Sequence, residues 1–206
     1  MTELKQDREK CGLEKYLIEH CSPTLASLKT ANLFVMEAEG EEQLKNQLFR
    51  WNLALGGKGI SLLVLRYRNH KALIYVCRKN MLNADLQKPG VGAFLTEFGY
   101  SVMTADATLA HLKERIAGND EFPHEIGIFL GYPLGDVIGF IENAGQNSKC
   151  SGCWKVYCNE CEAMRLFAQF KKCRRIYLRL WNEGTSVVKL CVTERIAQRN
   201  VMVAAG

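Results

Sequence analysis

The chain has 206 residues, 48% apolar and 24% charged, a size and composition that suit one domain with a sizeable core and exclude a disordered or fibrous class. Its formal charge of +5 is unevenly spread: from Lys149 onward there are 11 Lys and Arg against 4 Glu, and before it 16 against 18. A basic C-terminal part points either to a nucleic acid or acidic protein partner or to a plain solvated surface.

The start, Met1 to Lys10, is charged and lacks the apolar stretch of a secretory signal, so the mature chain is expected to be the whole chain. Residues 7 to 20 place Leu13, Leu17 and Ile18 at helical spacing, and Ser22-Pro23 is expected to end that helix. Leu33 to Met36 suits a short buried strand. Leu44, Leu48 and Trp51 then mark a second helix that Gly56-Gly57 stops. Ile60 to Arg66 and Ala72 to Cys77 read as two strands joined by a turn at Arg68-Asn69-His70.

Pro89-Gly90 breaks the chain, Ala93 to Phe98 reads as helical, and Leu109, Leu112 and Ile116 share a face of a helix that Gly118-Asn119-Asp120 closes. The longest apolar run, Ile126 to Ile141, is interrupted by Pro133 and Asp136. It falls short of the roughly 20 apolar residues that a bilayer span needs, so a soluble protein without a membrane partner is expected. Pro123 and Pro133 suit the starts of two short helices meeting at Gly131-Tyr132. Gly127, Gly131, Gly135 and Gly139 recur every four residues, which points to close backbone packing or to a ligand near the main chain.

Next comes the densest feature of the sequence, Cys150, Cys153, Cys158 and Cys161 in the spacing C-x2-C-x4-C-x2-C. Thiolates are the soft ligands that zinc and iron-sulfur clusters prefer, so these four are the candidate metal ligands. Ligand sulfurs sit about 2.3 Å from zinc and hence roughly 4 Å apart. Trp154 to Tyr157 alternates as a strand would, and a straight strand from Cys153 to Cys158 spans roughly 16 Å. Either that segment bends back, or the two pairs are separate. Zinc ribbons and bacterial ferredoxins use other spacings. Cys158-Asn-Glu-Cys161, at the start of a helix, offers a thiol-redox alternative, which Glu160 and Glu162 oppose. Nine cysteines without an export signal imply reduced thiols and a cytoplasmic location. Cys11, Cys21, Cys77 and Cys191 lie among apolar neighbours and read as small hydrophobes.

A long helix follows, with Ala163, Leu166, Phe170, Cys173, Tyr177 and Leu180 on one stripe and a stop at Asn182-Glu-Gly184. Arg165, Lys172, Arg175 and Arg179 occupy its opposite face, the candidate nucleic-acid surface. Val187 to Leu190 is the candidate second helix of a helix-turn-helix, with only Lys189 to offer a groove. The last ten residues read as a frayed tail. His124-Glu125 is not H-E-x-x-H, because Ile128 stands where the second histidine belongs, and His124 is expected to cap the helix that Pro123 begins. G-x-S-x-G, the P-loop and G-x-G-x-x-G are absent.

The segments Phe122-Pro-His-Glu-Ile-Gly-Ile-Phe-Leu-Gly-Tyr-Pro133, Asp136-Val, Gly139-Phe-Ile and Trp154-Lys-Val-Tyr157, with Pro23 to Phe34, resemble a family of uncharacterised proteins from anaerobic Firmicutes. The resemblance covers most of the chain and brings no activity, cofactor or catalytic residue with it. It implies a bacterial protein. In that family Trp-Lys-Val-Tyr is often followed by Gly and an acidic residue, where this chain has Cys158-Asn159, so the four-thiol array need not be a shared feature.

Together these features predict an α/β or α+β protein with a small mixed sheet that contains the hairpin, flanked by helices. Residues 1–145 form the core domain, and residues 146–206 form a cysteine-bearing, basic helical extension packed on it. The expected function is that of a nonenzymatic metal-binding or thiol-bearing accessory protein, with zinc or an iron-sulfur cluster as the cofactor. The alternatives are a nucleic-acid-binding regulator, and a thiol-redox protein or enzyme of unassigned reaction.

Overall fold

The computed structural model describes residues 12–118 and 122–193. In chain order its elements are α1 (Leu13–Leu25), β1 (Ala31–Glu37), α2 (Glu41–Gly56), β2 (Ile60–Arg68), β3 (Lys71–Arg78), α3 (Lys79–Leu86), α4 (Val91–Thr96), α5 (Ala105–Gly118), α6 (Ile126–Phe129), α7 (Leu134–Glu142), β4 (Cys150–Ser151), β5 (Lys155–Val156), α8 (Glu160–Asn182) and α9 (Val187–Leu190). Strands β1, β3 and β2 form a sheet in that order, antiparallel throughout. The expected mixed sheet is thus wholly antiparallel, and of the two classes expected the fold is α+β. Asn69 and His70 both take positive φ, the geometry of a tight hairpin turn.

Strand β3 is central, and every residue after Lys71 in it is buried, so its unbroken run of Leu, Ile, Tyr and Val reflects cover on both faces. On one face Phe34, Ile74 and Val76 pack with Leu17 of α1, Leu44 of α2, Tyr177 of α8 and Val187 of α9. On the other, Leu73, Tyr75 and Cys77 pack with Leu82 of α3, Leu112 of α5 and Phe129 of α6. A bulge between Val64 and Arg66 turns the buried Leu65 toward this second cluster. The basic C-terminal helices therefore share a core with the first helix. Among the described residues no helix is long and apolar enough to cross a membrane.

Three local expectations change. Helix α1 runs through Pro23 to Leu25 instead of stopping at Ser22, because a proline in the last turn forfeits only one hydrogen bond. Residues 7–11 of that expected helix, Cys11, Asn119-Asp120 and the tail from Glu194 lie outside the described residues. Helix α3, directly after β3, was not anticipated from sequence. His124 makes no capping bond to α6; its ring meets Phe140 edge-on at 5.0 Å.

The four recurring glycines are sites of close packing. An added Cβ would lie 2.7 Å from Val137 Cγ2 at Gly127, 2.3 Å from Cys158 Sγ at Gly135 and 2.5 Å from Tyr157 Cγ at Gly139. Gly131 joins α6 to the loop before α7 with φ of +75°, and a Cβ there would lie 2.7 Å from Thr30 Oγ1. Gly131→Ala is expected to cost about 1–3 kcal/mol through backbone strain alone. Urea unfolding checks this, and an unchanged midpoint would remove the constraint.

Candidate functional site

Asp136 organises the segment between the two cysteine pairs. It sits in the first turn of α7 with 3% of its surface exposed, the only charged residue between Ile126 and Ile141. Its Oδ1 accepts the Tyr157 and Cys158 backbone N–H groups at 2.7 and 2.8 Å, and its Oδ2 accepts Trp154 Nε1–H at 2.8 Å. Three donors satisfy the buried carboxylate and fix the β4–β5 hairpin on α7. Lys155 Nζ donates to Gly145 O at 2.5 Å, and Tyr157 Oη to Gln146 O at 2.8 Å, closing the loop before β4. The Trp154 ring stacks on Tyr132 at 4.8 Å and meets Phe167 of α8 edge-on at 4.5 Å.

The hairpin turns at Gly152 to Trp154 and runs on as β5, so its bend lies at the start of the Cys153 to Cys158 segment and not within Trp154 to Tyr157, where the thiol spacing called for one. Cys153, in the turn, points toward Lys29 and Arg174. Cys150 on β4 faces Glu160, Cys158 lies against Gly135 and Asp136, and Cys161 is exposed in the first turn of α8. Among the described residues no group of three or more His, Cys, Asp or Glu side chains stands in an arrangement that could hold a metal ion. Partial burial first, and then the Glu160 and Asp136 carboxylates respectively, push the Cys150 and Cys158 thiols up. Burial also raises Cys153, with Lys29 and Arg174 pulling the other way. Each of these shifts makes the thiolate, the form that acts as ligand and nucleophile, harder to form. Cys21, Cys77, Cys173 and Cys191 are buried, with Cys77 pushed up to about 12 and Cys173 to about 11 by burial.

On one side of the hairpin, Phe122, His124, Phe140 and Trp154 line an apolar cavity of about 270 Å³. On the other, a cleft of about 430 Å³ opens between the hairpin turn, the α1–β1 segment and α8, walled by His20, Lys29, Asn32, Cys153, Lys171 and Arg174. Tyr132 borders both. No carboxylate lines the second cleft among the described residues, and neither Lys171 nor Arg174 has a carboxylate within ion-pair distance there.

Lys29 is the unusual member. Only 7% of it is exposed; its ammonium donates to Ala31 O and stands 5.1 Å from the Tyr132 ring centroid, with no carboxylate partner among the described residues. Burial lowers it from an ordinary 10.5 to about 8. Burial also lowers His20, with Arg174 adding to the effect and Glu19 opposing it. Tyr132 is pushed up to about 12, again mainly by burial. Shifted groups of several kinds thus converge on one concave surface, a pattern common at functional sites.

The basic face expected on α8 is divided. Arg165 grips Glu162 with two bonds, at 2.8 and 3.1 Å, and Arg179 stands 3.9 Å from Glu183. Lys172 and Arg175 are exposed on the outer side, while their neighbours Lys171 and Arg174 turn toward the cleft. Helix α9 has four residues, and its Val187 and Leu190 are buried in the core. Sequence reasoning missed Lys29 altogether, because a lysine before a strand has no distinguishing spacing. Asp136 had a signal, a lone charge in an apolar run.

Comparison with curated proteins and with solved structures found no match. The model of one family, described as a protein of unknown function (DUF3793), matches residues 17–191, and the chain belongs to that family.

Proposed function

We propose that this protein is a nonenzymatic, thiol-bearing accessory protein that binds a small anionic molecule in the cleft of Lys29, Lys171 and Arg174. The observation that carries this reading is the buried Lys29, which lines the cleft and whose ammonium has no carboxylate partner among the described residues. A cation removed from water without a counter-charge is costly, and an anion supplied from solution offsets that cost. Lys171 and Arg174 add charge-assisted donors, and an arginine suits a carboxylate or phosphate. Cys153 places a thiol in the same wall.

Thermal unfolding in sulfate, phosphate or citrate, at fixed ionic strength, tests this. The midpoint is expected to rise by roughly 5–10 °C at about 100 times Kd. Lys29→Met and Arg174→Ala abolish the rise. A rise that survives both substitutions, or none in any of the three anions, overturns the reading. Metal analysis of the purified protein is a second arm: stoichiometric zinc or iron lost on Cys153→Ser would move the function to the thiols. Duplex DNA binding lost on Lys172→Ala and Arg175→Ala, but not on Lys29→Met, would move it to the outer face of α8.

The pH dependence has a definite sign. Lys29 binds a proton less readily folded than unfolded, so its penalty is fully present below pH 8 and is relieved as pH rises from about 8 to the unfolded 10.5. The anion needs the charged form, so its affinity falls as pH rises through about 8. Titration calorimetry across pH 6.5–9.5 checks this, and a flat profile would remove Lys29 from the site.

A further inference from the structure

Lys29 combines three properties that seldom coincide. It lines a cleft large enough for a small organic molecule, its ammonium lies against an aromatic ring with no carboxylate among the described residues to hold it protonated, and Lys171 and Arg174 of the same cleft can grip an anionic substituent. Desolvation is one way a lysine is made an amine nucleophile toward carbonyl compounds. Burial brings Lys29 to about 8, so a substantial fraction is the free amine in mildly alkaline solution.

We infer that the ligand is a small anionic carbonyl compound, an oxo acid or a phosphorylated aldehyde, held covalently and reversibly as an imine on Lys29 Nζ; this rests on the anion-binding reading of the cleft. The free amine attacks the carbonyl carbon to give a carbinolamine. Loss of water, made of the carbonyl oxygen and the two amine hydrogens, leaves a C=N bond. No oxidant or reductant is consumed. The carboxylate or phosphate of the ligand lies between Lys171 and Arg174. Cys153, a thiol in the same wall, can add reversibly to the same carbonyl, but its adduct is not an imine and hydride does not fix it.

The test treats the intact protein at pH 8 with glyoxylate, an aldehyde that carries a carboxylate, and sodium cyanoborohydride. Adducts are then located by peptide mass mapping, with acetaldehyde as the neutral control. Lys29 is expected to be labelled at least roughly tenfold faster than the mean of the other lysines. Arg174→Gln is expected to slow labelling by glyoxylate but not by acetaldehyde, and in Cys153→Ser the adduct is still expected to map to Lys29. Lys29→Arg, which keeps the charge, is expected to lose the selective adduct. Circular dichroism confirms that each variant is folded. Labelling spread over surface lysines, with Lys29 at or below their mean, overturns the imine. If sulfate still stabilises the protein through Lys29 and Arg174 in that case, the cleft is a noncovalent anion site; if sulfate also fails, both readings fall.

Discussion

Arg78→Met is expected to lower stability by about 3–5 kcal/mol, the largest effect of any single substitution considered. The guanidinium is fully buried at the end of the central strand. Its Nε donates to Thr24 O at 2.7 Å, Nη1 to Lys58 O at 2.9 Å, and Nη2 to Leu25 O at 2.8 Å and Val192 O at 2.7 Å. Two of those carbonyls belong to the last residues of α1, where helix carbonyls lack partners within the helix and the dipole favours a cation. The other two come from the turn before β2 and the segment after α9, so one side chain ties together four parts of the chain. Methionine fills similar volume but removes all four bonds, leaving Thr24 O and Leu25 O only the backbone N–H groups of Ser27 and Val192. A fall of roughly 10 °C in Tm is expected, with Arg78→Lys intermediate. A Met variant that melts with the wild type would show that water serves the carbonyls as well.

Asp136→Ala is expected to release the β4–β5 hairpin while the sheet stays folded. The substitution removes the acceptor for Trp154 Nε1–H and two backbone N–H groups, a loss of about 2–4 kcal/mol that falls on the local structure. Hydrogen exchange should show the Tyr157 and Cys158 amides losing protection, with β3 amides unchanged. Trp154 emission should shift to the red as the ring leaves Tyr132 and Phe167. Asp136→Asn separates charge from shape. The Cys158 thiol is raised by burial and then by this carboxylate, so the neutral amide lets it ionise more readily and react faster with iodoacetamide. Unaltered exchange at Tyr157 and Cys158 in the Ala variant would mean that packing alone holds the hairpin.

The hairpin β2–β3, the stripe of α8 and the two short helices around Gly131 were legible because each is a local pattern: alternating or continuous apolar residues, a spacing of three and four, and glycine or proline at the breaks. Helix α3 was not, since Lys79–Leu86 buries only Leu82 and Leu86 and so carries too short a pattern to stand out. The close packing at Gly127, Gly135 and Gly139 could be read from their repetition, but not the residues they admit, Val137, Cys158 and Tyr157. The cysteine cluster was conspicuous in sequence, but the fold puts Cys153 in the hairpin turn and Cys161 in the first turn of α8, and among the described residues no group of three or more His, Cys, Asp or Glu side chains could hold a metal ion.

The sequence by itself determined the kinds of element, the helices that carry the basic charge and the chemistry of the side chains on offer, all of which depend on neighbours within a few residues. Only the tertiary structure decided which of them meet. Lys29 and Arg174 are 145 positions apart, and α1 packing on α8 brings both to one cleft beside Cys153. Burial then shifts the lysine, and no described residue supplies it with a counter-charge. Such a property arises from long-range contacts and from exclusion of water, and no local spacing records it.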